Sequence, residues 1–127
     1  MGLESGLADY FPSSFENRSD IWQPLGLQFS NRNLDNHRSF SEIRIGKTEE
    51  HDAGDVWGGA FWELRQTIGQ KPTDKLLLAA WKELDLSKPY ADMMTFPLEL
   101  LKQDRSLEEG RHLQQIHSVF SSRGLQF

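Results

Sequence analysis

Four histidines and a scatter of carboxylates are the side chains in this sequence that could do chemistry, and their spacing limits what that chemistry is. His112 and His117 stand five apart, which on a helix turns them about 140° away from each other, so they do not clamp one ion. His51 lies close to Asp52 and Asp55. A histidine and a carboxylate four apart share a helix face and make the better metal cluster, although a histidine at a helix start is more often simply solvated. The chain has no cysteine, which removes disulfides and thiolate zinc sites. Leu3-Glu4-Ser5-Gly6-Leu7 lacks the first glycine of a serine-hydrolase elbow. Gly58 and Gly59 fall inside a helical pattern, where they let a neighbouring segment approach closely instead of cradling phosphate.

The elements that must position these residues are helical. Leu3, Leu7, Tyr10 and Phe11 recur at helical spacing and predict a short opening helix that Pro12 ends or kinks. From about 15 to 50 the sequence is polar and rich in turn residues, with a weak strand at 40–45. A stretch of that length implies a lid, or a segment that packs against something outside this chain. Val56, Trp57, Ala60, Phe61, Leu64 and Ile68 then form one apolar stripe, predicting a helix over 54–68 closed by Gly69. Thr73 predicts the cap of a third helix ending near Leu84, Pro89 restarts the chain, and Thr95 with Pro97 opens a helix to about Asp104. Ser106 and Glu109 have the spacing of a capping box, with Leu107, Leu113, Ile116, Val119 and Phe120 as the buried stripe of a last helix ending at Gly124. The fold expected is mainly α, an irregular helical bundle in one domain over 1–127.

Composition narrows the partners. The net charge is −5 and no predicted helix carries a Lys/Arg stripe, which argues against nucleic acid. Four Trp and eight Phe in 127 residues predict a packed core. No apolar run approaches the roughly 20 residues that span a bilayer, so no membrane partner is expected, and the first ten residues lack a signal-peptide pattern.

The segment His51-Asp52-Ala53-Gly54-Asp55-Val56-Trp57-Gly58-Gly59-Ala60-Phe61-Trp62-Glu63-Leu64 resembles the region of thermolysin-like and fungalysin-like zinc peptidases in which a histidine precedes a glycine and an aromatic-rich helix. The resemblance implies that His51 stabilises the oxyanion formed as water attacks a peptide carbonyl. Ser5-Gly6-Leu7-Ala8-Asp9-Tyr10-Phe11 resembles the family's second zinc helix, E-G-x-[SA]-D-[FY]-F. Asp9 matches the aspartate that orients a zinc-bound histidine from the second shell of the metal. Ser5 occupies the place of the glutamate ligand, and a hydroxyl is neither anionic nor a usual zinc donor. Glu4 is a weak substitute, since one residue rotates a helical side chain by about 100°. Looser agreement comes from Leu34-Asp35-Asn36, Asp74-Lys75-Leu76, Leu100-Leu101 with Asp104, and Phe120 to Leu125.

The family's H-E-x-x-H, which supplies two zinc ligands and the water-activating glutamate, does not occur in the sequence. The resemblance therefore implies the C-terminal helical lobe of a zinc peptidase, inactive alone and not expected to bind zinc by itself, whose partners are an N-terminal lobe and, for the parent, a peptide substrate. Ser5 favours an alternative, a degenerate homologue serving as a binding or scaffolding module. An unrelated helical domain is the third reading. Trp62 lies off the Phe61 and Leu64 stripe and is expected to cover the surface of the missing lobe, an exposed patch that would promote homo-oligomers. The resemblance leaves an extracellular location open.

Overall fold

The structure, a computed structural model, describes residues 2–21, 33–44, 46–84 and 92–127, with side chains from 95 onward in the last range. Among them are five α-helices, α1 (Leu3–Glu16), α2 (Glu50–Ile68), α3 (Gln70–Glu83), α4 (Asp92–Leu107) and α5 (Leu113–Ser122), with one 3-10 turn at Phe40–Glu42 and no strand. The mainly helical class expected from sequence is observed. Contacts gather into two compact units, Met1–Glu63 and Leu64–Phe127, described in turn.

In the first unit α1 continues through Pro12 to Glu16, four residues beyond the expected stop. Pro12 leaves the Ala8 carbonyl without its helical donor, but both residues are exposed, so water can serve that carbonyl. The helix ends at Asn17, in the left-handed conformation (φ 56°), whose N–H returns to the Ser13 and Ser14 carbonyls. Helix α2 begins one turn earlier than its apolar stripe predicts. The Glu49 carboxylate accepts hydrogen bonds from the His51 and Asp52 amides, both at 3.0 Å, and so caps donors that have no partner within the helix.

Residues 53–62 of α2 are buried on every side, which makes it the central element of this unit. Trp57 is fully buried, as expected of a core tryptophan. Trp62 is also buried, at 7% exposure, which corrects its expected role as an open docking patch. The tryptophan is long enough to reach cover from beside the main stripe.

The stretch expected to be irregular from 15 to 50 is partly helix and partly core. Leu34 and Phe40 are buried, and Phe40 packs edge-on against Trp57 with ring centroids 4.6 Å apart. Instead of the weak strand expected at 40–45, Phe40–Glu42 forms a 3-10 turn. The Glu42 carboxylate accepts from the Ser39 amide at 2.8 Å and the Ser39 hydroxyl accepts from the Ser41 amide at 3.2 Å, a local closure that overrides the alternation of Ile43 and Ile45. Ile45, residues 22–32 and Pro89 lie outside the described residues.

In the second unit α3 packs on α4 and α4 on α5. Leu76, Leu77, Ala80, Phe96, Leu100, Ile116, Val119 and Phe120 form its interior. Helix α3 starts at Gln70, so Thr73 is a buried residue within it and not its cap. Pro72 is tolerated because first-turn amides have no helical acceptor. The stop at Leu84 agrees with the sequence. Helix α4 begins at Asp92, a turn before the expected start, and runs to Leu107. The capping box at Ser106 and Glu109 therefore does not form. Ser106 is still helical, Glu109 and Gly110 both take positive φ (58° and 74°), and Leu107 is 42% exposed. The stripe of Ile116, Val119 and Phe120 is buried as expected, and Gly124 (φ 100°) follows the end of α5.

Candidate functional site

The two sequence segments that carry the peptidase resemblance, with 39 residues between them, are neighbours in the first unit. Helices α1 and α2 run side by side, Gly2 meeting Ala53, Gly6 meeting Trp57 and Tyr10 meeting Phe61. Their backbones approach because glycine stands at the contacts. A Cβ on Gly54 would lie 2.5 Å from the Ser5 Cβ, and one on Gly6 would lie 2.5 Å from the Trp57 Cβ. Gly58 receives Leu34, and Gly59 receives the Asn36 amide. The bland sequence reading of Gly58 and Gly59, close approach of a neighbour, is the observed one. The Gly2 amide also donates to Glu50 Oε1 at 3.1 Å, tying the start of α1 to the start of α2.

Around this contact the predicted site residues take distinct places. Ser5 is half-buried against Gly54, Asp9 is buried one turn later on α1, and Glu4 is exposed. His51 is exposed in the first turn of α2, and its Nδ1 lies 2.7 Å from Glu49 Oε1. The same Glu49 that caps the helix thus orients the imidazole. Its carboxyl is held below the usual carboxylate range, first by the His51 amide and then by the His51 ring. A carboxylate on Nδ1 fixes a ring proton there.

Asp55, paired with His51 in the sequence reading, turns inward to a different partner. Its Oδ2 lies 3.3 Å from Arg38 Nη1, and its Oδ1 is buried without a hydrogen bond. Arg38 is the hub of the 33–44 segment, reaching Asp52 Oδ1 at 2.7 Å and Glu42 Oε1 at 2.9 Å. Burial raises the Asp55 carboxyl to about 6 against the pull of Arg38, and Asp9 and Asp52 push in the same direction as burial. Asn36 links the pieces, donating to the Asp55 carbonyl at 3.2 Å while its Oδ1 accepts from the Arg38 amide at 3.0 Å.

The described residues around this contact offer no complete donor set for zinc. Ser5 offers a neutral hydroxyl, Glu4 points to solvent, and among the described residues no three His, Asp or Glu side chains gather to hold a metal.

A second carboxylate and histidine pair, unpredicted, sits in the second unit. Asp104 is fully buried, and its two oxygens accept from the His112 amide and meet the His112 Nδ1, each at 2.8 Å. Its main-chain carbonyl accepts from the amides of Glu108 and Gly110. His117, by contrast, meets the Phe127 carbonyl through Nε2 at 3.1 Å, so the two late histidines have separate partners, consistent with their spacing. Sequence reasoning passed over Arg38 and Glu49, since a lone arginine in a polar stretch and a glutamate before a histidine are common. The one available signal was Glu49 directly before the acidic start of α2.

No helix among the described residues is long and apolar enough to cross a membrane. No family model matches the chain, and no characterised protein or solved structure matches it.

Proposed function

We propose that this chain is the C-terminal helical lobe of a zinc-peptidase-like protein, and that His51 and Asp9 are the residues it contributes to the cleft of the assembled enzyme. The observation that carries this reading is the packing of Ser5 on Gly54, which brings the zinc-helix-like segment against the histidine-bearing segment within one compact unit. In the assembled protein His51, oriented by Glu49, would offer Nε2 to the oxyanion of a peptide substrate. Asp9 would orient a histidine from the N-terminal lobe, which would also bring the zinc and the water-activating glutamate. On this reading the polypeptide by itself lacks the water-activating glutamate of H-E-x-x-H and is inactive toward peptides.

The test joins the chain to the N-terminal lobe that this reading expects upstream of it, one bearing H-E-x-x-H. The chain alone, with zinc, is expected to give no chelator-sensitive cleavage of a fluorogenic peptide, and the joined protein to give it. Chelator-sensitive turnover by the chain alone, or a joined protein whose activity is indifferent to His51→Ala, would sink the reading.

Ser5 favours a second reading, a degenerate homologue in which the lobe binds or scaffolds without catalysis. It predicts that the joined protein retains peptide binding but contains no stoichiometric zinc by elemental analysis, and that Ser5→Glu raises the zinc content.

A further inference from the structure

Asp55 is the titratable group that the proposed function does not use, and its surroundings are unusual for a carboxylate. It is 4% exposed, deep in the all-round buried stretch of α2. Oδ1 has no hydrogen-bond partner, although a buried carboxylate oxygen that carries charge ordinarily collects several. Among the described residues, the charged groups around it come from three elements. Arg38, on the 33–44 segment, approaches Oδ2 at 3.3 Å but is engaged more closely by Asp52 at 2.7 Å and Glu42 at 2.9 Å. Asp9 repels it from α1 and Asp52 repels it from its own helix. One guanidinium thus faces three carboxylates, and the one it holds least tightly is the one most cut off from water.

We propose that Asp55 takes up a proton in mildly acidic conditions and that this uptake stabilises the first unit, making the α1–α2 contact a pH-responsive element. A neutral carboxyl removes the repulsion with Asp9, ends the desolvation penalty, and leaves Arg38 to Asp52 and Glu42. Its spare oxygen is then no longer a buried unpaired charge. The proposal does not depend on the peptidase reading, because it concerns residues of this chain in their own unit.

The sign follows from linkage. Burial, the largest cause, pushes the carboxyl of folded Asp55 up to about 6 from its ordinary 3.8. Between those values the folded state holds a proton that the unfolded chain has released, so stability rises as pH falls through that window and declines as pH rises through it. Glu42, an exposed partner of Arg38, acts in the opposite direction, because the Ser39 amide and then Arg38 hold its carboxyl below the ordinary range and that attraction is lost as pH falls further.

The experiment follows the Asp55 side-chain carboxyl carbon by NMR titration of the full chain, with thermal unfolding at pH 7.5 and 5.5 for wild type, Asp55→Asn and Asp52→Asn. The expected result is a titration midpoint of about 6 for Asp55, together with a wild-type Tm higher at pH 5.5 than at 7.5 by about 3 °C. Asp55→Asn, which keeps the shape and removes the charge, should raise Tm at pH 7.5 and abolish the pH difference, whereas Asp52→Asn should retain it. A midpoint below 4.5, or an Asp55→Asn protein destabilised equally at both pH values, would show that Asp55 is a charged ion-pair partner and overturn the proposal.

Discussion

Ser5 on α1 and Gly54 on α2 touch so closely that a single added carbon at position 54 would stand 2.5 Å from the Ser5 Cβ, with the backbone of Ser5 and Gly6 at 3.0 Å behind it. Gly54→Ala must therefore push two helices apart. Overpacking of this kind costs about 1–3 kcal/mol, against a gain of roughly 1 kcal/mol in helix propensity. A net loss of stability is expected in urea denaturation. Gly58→Ala should be milder, since the atom in its way is the end of the flexible Leu34 side chain, 2.6 Å from the added carbon.

Arg38 is the cation that reaches Asp55, and it also binds Asp52 and Glu42. Arg38→Met keeps much of the side-chain volume but leaves the buried Asp55 carboxylate without a counter-charge, so a loss of about 2 kcal/mol or more is expected at pH 7.5. Arg38→Lys should recover only part of it, because an ammonium cannot present the fork that meets three carboxylates at once. Chemical denaturation of the three proteins at one pH makes the comparison.

Glu49 combines two duties, capping α2 and holding the His51 ring. In Glu49→Ala the amides of His51 and Asp52 should exchange with solvent faster while those in the middle of α2 do not. The nitrogen chemical shifts of His51 should also move toward a mixture of tautomers. Unchanged exchange together with an unchanged tautomer would remove Glu49 from both duties.

Thr73 is buried within α3 with a hydroxyl that meets no partner. Thr73→Val, nearly the same shape without the polar atom, is expected to stabilise the protein by about 1 kcal/mol. A loss of stability in thermal unfolding would indicate that the hydroxyl has a partner.

Asp104→Ala removes the acceptor of two bonds to His112 in a fully buried place. A cost of about 2–3 kcal/mol is expected, with Asp104→Asn losing less because one carbonyl oxygen remains to accept. Denaturation curves of both variants would check the order.

Where apolar residues repeated at helical spacing, the sequence announced its elements: the stripes of α2 and α5 and the fully buried Trp57 all follow from periodicity. Helix ends were less legible, because they depend on which group serves the free amides. Glu49 does so for α2 although glutamate is a poor signal for a cap, and the Ser106 and Glu109 pattern was present without being used. Pro12 illustrates a related limit, since whether a proline stops a helix depends on whether the orphaned carbonyl can reach water. The contact of Ser5 with Gly54 had no signal in the sequence beyond a glycine in a helical stretch, and the link from Arg38 to Asp55 spans 17 residues with no periodic signal.

Between α4 and α5 a single residue receives four hydrogens, two from Glu108 and Gly110 at its carbonyl and two from His112 at its carboxylate. Such a connection counts residues: each receiving atom of Asp104 is matched to a donor at a fixed distance along the chain. Apart from Gly110, whose positive φ favours glycine, and His112, composition there is free to drift, but an inserted or deleted residue would leave a sealed carboxylate with nothing to grip, so variation in length should be purged at this connection while it is tolerated at ordinary surface loops.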